Sequence, residues 1–209
     1  MLQSLLPLLR VELPAQGPLA PRGLFAPPAE AVWLEVGFGG GEHLAAQAEA
    51  HPAIGLIGCE VFENGVAKLL AEVKRRALAN VRVFIDDARL LLAALPEASL
   101  ARAFILFPDP WPKLRHWKRR IVSSETLDRL AFALADGAEL RLATDDADYL
   151  CWMLERATAH PAFEWLARGP RDWRARPADW PPTRYEQKAL AAGRKPAFLR
   201  FRRRRRVVA

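Results

Sequence analysis

Ala31-Val32-Trp33-Leu34-Glu35-Val36-Gly37-Phe38-Gly39-Gly40-Gly41 is an apolar run that ends in a cluster of glycines. The run has no turn former before Gly37 and reads as a buried parallel strand. Glycines at 37, 39 and 41 let the chain turn tightly and bring its backbone close to a ligand. The alanine-rich stretch Glu42 to Ala50 that follows favours a helix, stopped by His51-Pro52. Strand, glycine turn and helix together form the opening unit of a doubly wound α/β domain.

The alternation continues outward from this unit. Ile54 to Glu60 reads as a second strand, Asn64 to Leu78 as a helix with a basic face, and Val81 to Ile85 as a third strand. Ala88 to Leu95 is a short helix and Ala101 to Phe107 a fourth strand. Ser124 to Leu134 is a helix that Ser123 or Ser124 caps. Asp136-Gly137 marks a turn, Ala138 to Ala143 a fifth strand and Asp145 to Ala159 a helix. Phe163 to Ala167 and Ala197 to Arg203 read as two final strands, joined by a Pro- and Arg-rich functional loop. Strands alternating with helices predict a mostly parallel sheet covered on both faces. Residues 1–30 show no sustained period and read as a loosely held lead-in, leaving 31–209 as one domain.

Composition narrows the functions open to the chain. No apolar stretch is long enough to span a membrane, and Met1 to Leu9 lacks the basic start and cleavage site of an export signal. Cys59 and Cys151 have no partners at metal-ligand spacing, so neither a metal nor a disulfide framework is expected, and a reducing, cytoplasmic setting fits. The net charge of +7 is unevenly spread. Residues 1–110 carry nine Lys/Arg against twelve Asp/Glu, and residues 111–209 carry twenty-two against twelve. One half is thus mildly acidic and the other faces a polyanion or is a solvated basic surface. A monomer and a homodimer are equally compatible with the sequence.

The acids around the glycine turn say which ligand it takes. A pyrophosphate wants bare amides at a helix start, and Glu35, two residues before Gly37, would repel it. A sulfonium and an ammonium suit that acid, so S-adenosylmethionine is favoured over a nicotinamide dinucleotide. Glu60 ends the second strand, where a carboxylate accepts the two hydroxyls of a ribose; the bland alternative is a solvated strand-end acid. Asp86-Asp87 follows the third strand. One of the pair can reach an adenine amino group while the other caps the next helix, and Asp87 is our choice for the ligand.

After the fourth strand comes Phe107-Pro108-Asp109-Pro110-Trp111-Pro112-Lys113-Leu114-Arg115-His116-Trp117-Lys118-Arg119-Arg120. Prolines exclude a helix or central strand and hold Asp109 with little freedom left to lose. This loop lies where ligands bind in open parallel sheets. The cations and aromatics behind it suit an RNA backbone and stacked bases. For Trp111 alone, core packing explains the residue equally well.

The segment resembles the signature of the tRNA (guanine-N7)-methyltransferase family. Similar to that family too are the loop Glu35 to Gly41, the acid Glu60, the block Thr144-Asp145-x-x-x-Tyr149 and the block Thr183-Arg184-Tyr185-Glu186. The resemblance covers roughly residues 31 to 203. It implies a Rossmann-like, seven-stranded sheet with an antiparallel C-terminal strand, and methyl transfer from S-adenosylmethionine to N7 of guanine 46 in the tRNA variable loop. It places Glu35, Gly37, Gly39, Gly41, Glu60, Asp87 and Asp109 at the cofactor, with Asp109 catalytic. Lys113, Asp145, Thr183, Arg184, Tyr185 and Glu186 would contact the substrate, and Arg115, His116, Trp117, Lys118, Arg119 and Arg120 the RNA. Residues 1–30 lack the family's basic, glycine-containing lead-in, a role the Arg202 to Arg206 tail would take over. The competing readings are a methyltransferase for another RNA, a protein or a small molecule, and a non-catalytic RNA-binding protein of the same fold.

Overall fold

The structure, a computed structural model, describes residues 2–207; residues 208 and 209 of the expected 31–209 domain lie outside this range. Along the chain run α1 (Leu2–Leu9), β1 (Ala31–Val36), α2 (Glu42–Ala50), β2 (Ile54–Cys59), α3 (Glu63–Arg75), β3 (Val81–Phe84), α4 (Ala88–Ala94) and β4 (Leu100–Leu106). There follow α5 (Ser124–Ala133), β5 (Leu134–Thr144), α6 (Ala147–Ala159), β6 (Phe163–Trp165), α7 (Arg171–Arg174), α8 (Arg184–Ala191) and β7 (Ala197–Arg203). The strands form one seven-stranded sheet in the order β3-β2-β1-β4-β5-β7-β6. β1 to β5 are parallel to one another, and β7 runs antiparallel between β5 and β6. The order reverses between β1 and β4, which opens a crevice at the carboxyl ends of those strands.

Alternate residues of each strand feed two cores. Val32 and Leu34 join Leu91, Leu127, Leu130 and Met153 of α4, α5 and α6 on one face. Trp33 and Leu56 join Leu44, Leu69 and Leu70 of α2 and α3 on the other. Beyond the reach of α2, that second face is closed by the Pro- and Arg-rich connection between β6 and β7. Its Trp180 is buried against Phe198, with ring centroids 5.5 Å apart. Below it Arg141 is buried on β5, bonded to Glu139 and Asp179 at 2.7 Å each. The connection therefore contains α7 and α8 and is a structural cover as well as a loop.

Two expectations change. The lead-in is held, not loose: Val11 donates its amide to the Val83 carbonyl (2.8 Å) and Leu19 to that of Ala94 (2.8 Å). Leu9, Val11, Leu19 and Phe25 are buried. The segment covers β3, whose unpaired edge would otherwise invite foreign strands; its irregular course hid this from periodicity. The Asp136-Gly137 turn is an irregularity inside one long β5, with Gly137 at φ 81°. Among the described residues no helix is long and apolar enough to cross a membrane.

Candidate active site

Four strand ends converge on one cavity of about 330 Å³, a volume typical of small-molecule sites. β1 contributes Val36, Gly37 and Gly39; β2 contributes Cys59 and Glu60. β3 leads into Asp86 and Asp87, and β4 into Phe107, Pro108, Asp109 and Trp111. The glycine loop is tied to β2 by the Gly37 amide, which donates to the Cys59 carbonyl at 2.8 Å. Gly37, Gly39 and Gly41 all have positive φ, of 72°, 55° and 78°. A side chain on Gly37 would enter open space beside the cavity, whereas one on Gly41 would strike Leu69 of α3.

Glu60 organises the loop. One carboxylate oxygen accepts the Gly39 amide at 2.8 Å; the other accepts the amides of Val61 and Phe62 at 2.8 and 3.0 Å. The division chosen between Asp86 and Asp87, with Asp87 for the ligand and so Asp86 for the cap, is corrected at the cap, which Asp87 forms. Asp87 accepts the Arg89 amide at the start of α4 and pairs with the Arg89 guanidinium, both at 2.9 Å. Both acids still line the cavity. Burial pushes the Cys59 thiol well up, with Glu60 and Asp87 adding to the effect, so it is inert as a nucleophile.

The loop bearing Asp109 is strained at both ends. Phe107 and Trp111 take φ of 52° and 43°, each costing about 1–2 kcal/mol for a residue with a side chain. Asp109 stands exposed between them and makes no hydrogen bond among the described residues. Arg119 lies over the Trp111 ring, 4.8 Å from its centroid, and lines the same cavity. An acid free of partners thus sits where the glycine pocket opens towards cations and an aromatic face. Tyr185 of α8 closes the opposite side, packed on Gly39 and half exposed.

Comparison with known proteins identifies the family. A family model described as "Putative methyltransferase" matches residues 29–199. A tRNA (guanine-N(7)-)-methyltransferase of Rhodospirillum rubrum is 56% identical over 99% of this chain and 82% of its own length. One from Paramagnetospirillum magneticum is also 56% identical, over 99% and 87%. The chain belongs to the tRNA (guanine-N(7)-)-methyltransferase family. An rRNA methylase from Streptococcus thermophilus, 14% identical, superposes with a TM-score of 0.58 over 84% of this chain and 88% of that one. A precorrin-6y C5,15-methyltransferase from Geobacter metallireducens gives 0.57 at 14% identity, over 85% and 81%. These two attest the fold.

In this tRNA (guanine-N(7)-)-methyltransferase family member, the cavity gathers Gly37, Gly39, Glu60, Asp87, Asp109, Arg119 and Tyr185 from the residues that the sequence singled out. Glu35 is buried beside it and lines a small adjoining void. Gly41 caps α2. Lys113, Arg115 and Lys118 are exposed on the flank, and His116 packs edge-on to Trp111. Arg184 faces a side groove with Lys68 and Lys188. Asp145 is held by Arg194 at 2.5 Å and lies outside the cavity lining.

Three assignments need correction. Arg120 is 1% exposed; its guanidinium pairs with Asp148 and lies within about 5 Å of Trp117, Tyr149 and Trp152. It therefore cannot reach a phosphate. Trp117 stacks edge-on against Trp152 at 5.2 Å and is framework. The Arg202–Arg206 tail is partly tied down as well: Arg206 binds Asp136 and Glu97, and Arg203 binds the Ala131 carbonyl. Thr183 and Glu186 are buried; Thr183 caps α8 and Glu186 pairs with Arg176, so they hold Tyr185 in place. Phe62 and Asp86 line the cavity without having been singled out as ligands. The doubled acid after β3 was the available signal for Asp86; exposed Phe62 had none. Among the described residues no cluster of His, Cys, Asp or Glu has metal-binding geometry.

Proposed function

We propose that this chain methylates N7 of a guanine in the variable loop of tRNA, with S-adenosylmethionine as methyl donor. The observation that carries the reading is the place of Asp109, a proline-fixed carboxylate without a partner where the glycine pocket meets Trp111 and Arg119. The donor set fits this cofactor. Glu60, Asp86, Asp87 and Asp109 line the cavity, and among the described residues the cations there are Arg89 and Arg119. Such acids accept a diol and an amine and favour a sulfonium, and they disfavour a phosphate. The open side of Gly37 leaves room for a ligand against the backbone.

When bound, the donor supplies an electrophilic methyl group. Glu60 would hold the ribose hydroxyls, Asp86 or Asp87 the adenine amine and Glu35 the ammonium. Guanine N7 has a free lone pair, so the chain need not remove a proton first. Its task is positioning, which contributes up to about 7–11 kcal/mol in favourable cases. Asp109 and Asp145 would accept hydrogen bonds from the guanine N1–H and exocyclic amine, Asp145 exchanging Arg194 for the base. Adenine has no such donor pair on that edge. A fixed carboxylate also favours the positive charge that grows on the methylated ring. The basic flank of Lys113, Arg115, Lys118 and Arg119 would grip the RNA backbone. The relatives named as tRNA methyltransferases, at 56% identity, support the same substrate here.

The test is incorporation of labelled methyl from S-adenosylmethionine into unmodified tRNA, set beside ribosomal RNA, protein and a metabolite panel. Label confined to tRNA and recovered as 7-methylguanosine is the expected result. Label in another substrate class alone would refute the proposal.

A further inference from the structure

We infer that His43 is a positioning residue for the donor's ammonium group, acting through Glu35; this rests on the function proposed above. Glu35, near the end of β1, is 3% exposed, and His43, in the first turn of α2, is 2% exposed. His43 Nδ1 lies 2.7 Å from Glu35 Oε2. On the far side of the ring, Nε2 is 3.4 Å from the side-chain nitrogen of Gln47, which also donates to the Asp179 carbonyl at 2.8 Å. An amide nitrogen only donates. Nε2 is therefore the acceptor, the ring proton sits on Nδ1, and His43 donates it to Glu35. The ring is locked edge-on against Phe104 at 4.7 Å, with Trp180 at 6.4 Å.

This leaves Glu35 with one oxygen used. Its other oxygen has no hydrogen bond among the described residues and is not sealed off from the space around it, so a donor on a ligand can reach it. Glu35 lines a void of about 10 Å³ that shares Gly37, Phe107 and Tyr185 with the main cavity. That is the space of about one water molecule, which is also the size of an ammonium group. The chain from the Asp179 carbonyl through Gln47 and His43 to Glu35 thus aligns an acid at the inner end of the cofactor cavity. Without the Nδ1 donor, the carboxylate would turn to other partners and the ammonium would lose its acceptor.

Two nucleosides separate this role from a merely structural one. S-adenosylhomocysteine carries the ammonium; 5′-methylthioadenosine lacks the whole amino-acid end. Binding of each to the full chain is measured by calorimetry for the wild type, His43→Gln and His43→Asn. The Asn amide nitrogen can stand where Nδ1 was, whereas the Gln amide lies nearer Nε2. His43→Gln is expected to weaken S-adenosylhomocysteine about tenfold, the scale of one hydrogen bond to a charged group, and to leave methylthioadenosine unchanged. His43→Asn should bind both within about threefold of wild type, well under one such bond. Equal weakening of both ligands, or wild-type affinity for S-adenosylhomocysteine in His43→Gln, would overturn the inference. If the wild type binds neither nucleoside, the methyl-donor reading itself falls and takes this one with it.

Discussion

Arg120 donates from Nε to the Pro110 carbonyl at 2.7 Å, while Trp117, Tyr149 and Trp152 enclose its guanidinium. It fixes from within the loop that carries Asp109. Arg120→Ala should therefore destabilise the protein by roughly 2–4 kcal/mol, from a cavity between aromatics and a lost ion pair. It should also lower kcat and leave the salt dependence of tRNA binding as it was. Arg119 differs: it is exposed, with its guanidinium over the Trp111 face. Arg119→Ala should leave the melting temperature within a degree or two, weaken tRNA and reduce the slope of log affinity against log salt by about one. Thermal melts and a salt titration on both variants check the pair, and an unchanged melt for Arg120→Ala would refute the framework role. Adjacent arginines in sequence look alike; only the fold assigns one to the core. That a cluster of cations and aromatics follows Asp109 was legible, but which of its members turn inward was not.

The glycine loop makes the clearest prediction among the elements. Gly41 needs φ 78° and has Leu69 of α3 within contact distance of any added carbon. Gly41→Ala should cost about 1–2 kcal/mol of backbone strain and about 1–3 kcal/mol more of overpacking. Gly37 has similar φ but open space around it. Gly37→Ala should cost only the strain, about 1–2 kcal/mol, and should show a larger loss of donor affinity, since its methyl group enters the cavity side. Denaturant melts and donor titration separate the two; equal destabilisation would contradict the packing described. The loop and the strands around it could be read because their signals are local: an apolar run, then glycines, then alanines. The lead-in and the β6–β7 connection could not, since Val11, Leu19 and Trp180 are buried by distant partners with no period of their own. For the site, Asp109 and Glu60 were visible as acids at strand ends, whereas the His43–Glu35 contact spans a turn of uncommon geometry and shows no motif.

Over the whole molecule, charge is organised on two levels. Inside, Arg141 joins Glu139 and Asp179 across the face closed by Trp180. Burial acts to raise both acids, but the guanidinium groups of Arg200 and Arg141 at Glu139, and of Arg141 at Asp179, outweigh it and hold both below their ordinary values of 4.5 and 3.8. Acids lowered in the folded state bind protons more readily when unfolded. Their stabilisation is thus complete above those values and is lost as pH falls through the folded ones. The urea midpoint should be steady from neutral pH down to about pH 5 and fall below about pH 4.5. Arg141→Met should flatten part of that fall, and an identical acid profile in this variant would count against the cluster. Outside, Arg119 of the cation-rich second half lines the cavity, and Lys113, Arg115 and Lys118 of the same segment are exposed. The proposed activity rests on Asp109, which lines the cavity beside Trp111 and Arg119. The most direct test is Asp109→Ala, assayed for single-turnover methylation of tRNA and, on the same preparation, for S-adenosylmethionine binding. The prediction is a loss of turnover of at least about a hundredfold, the scale of one well-placed electrostatic group, with donor binding still measurable. Near-normal turnover in that variant would contradict it.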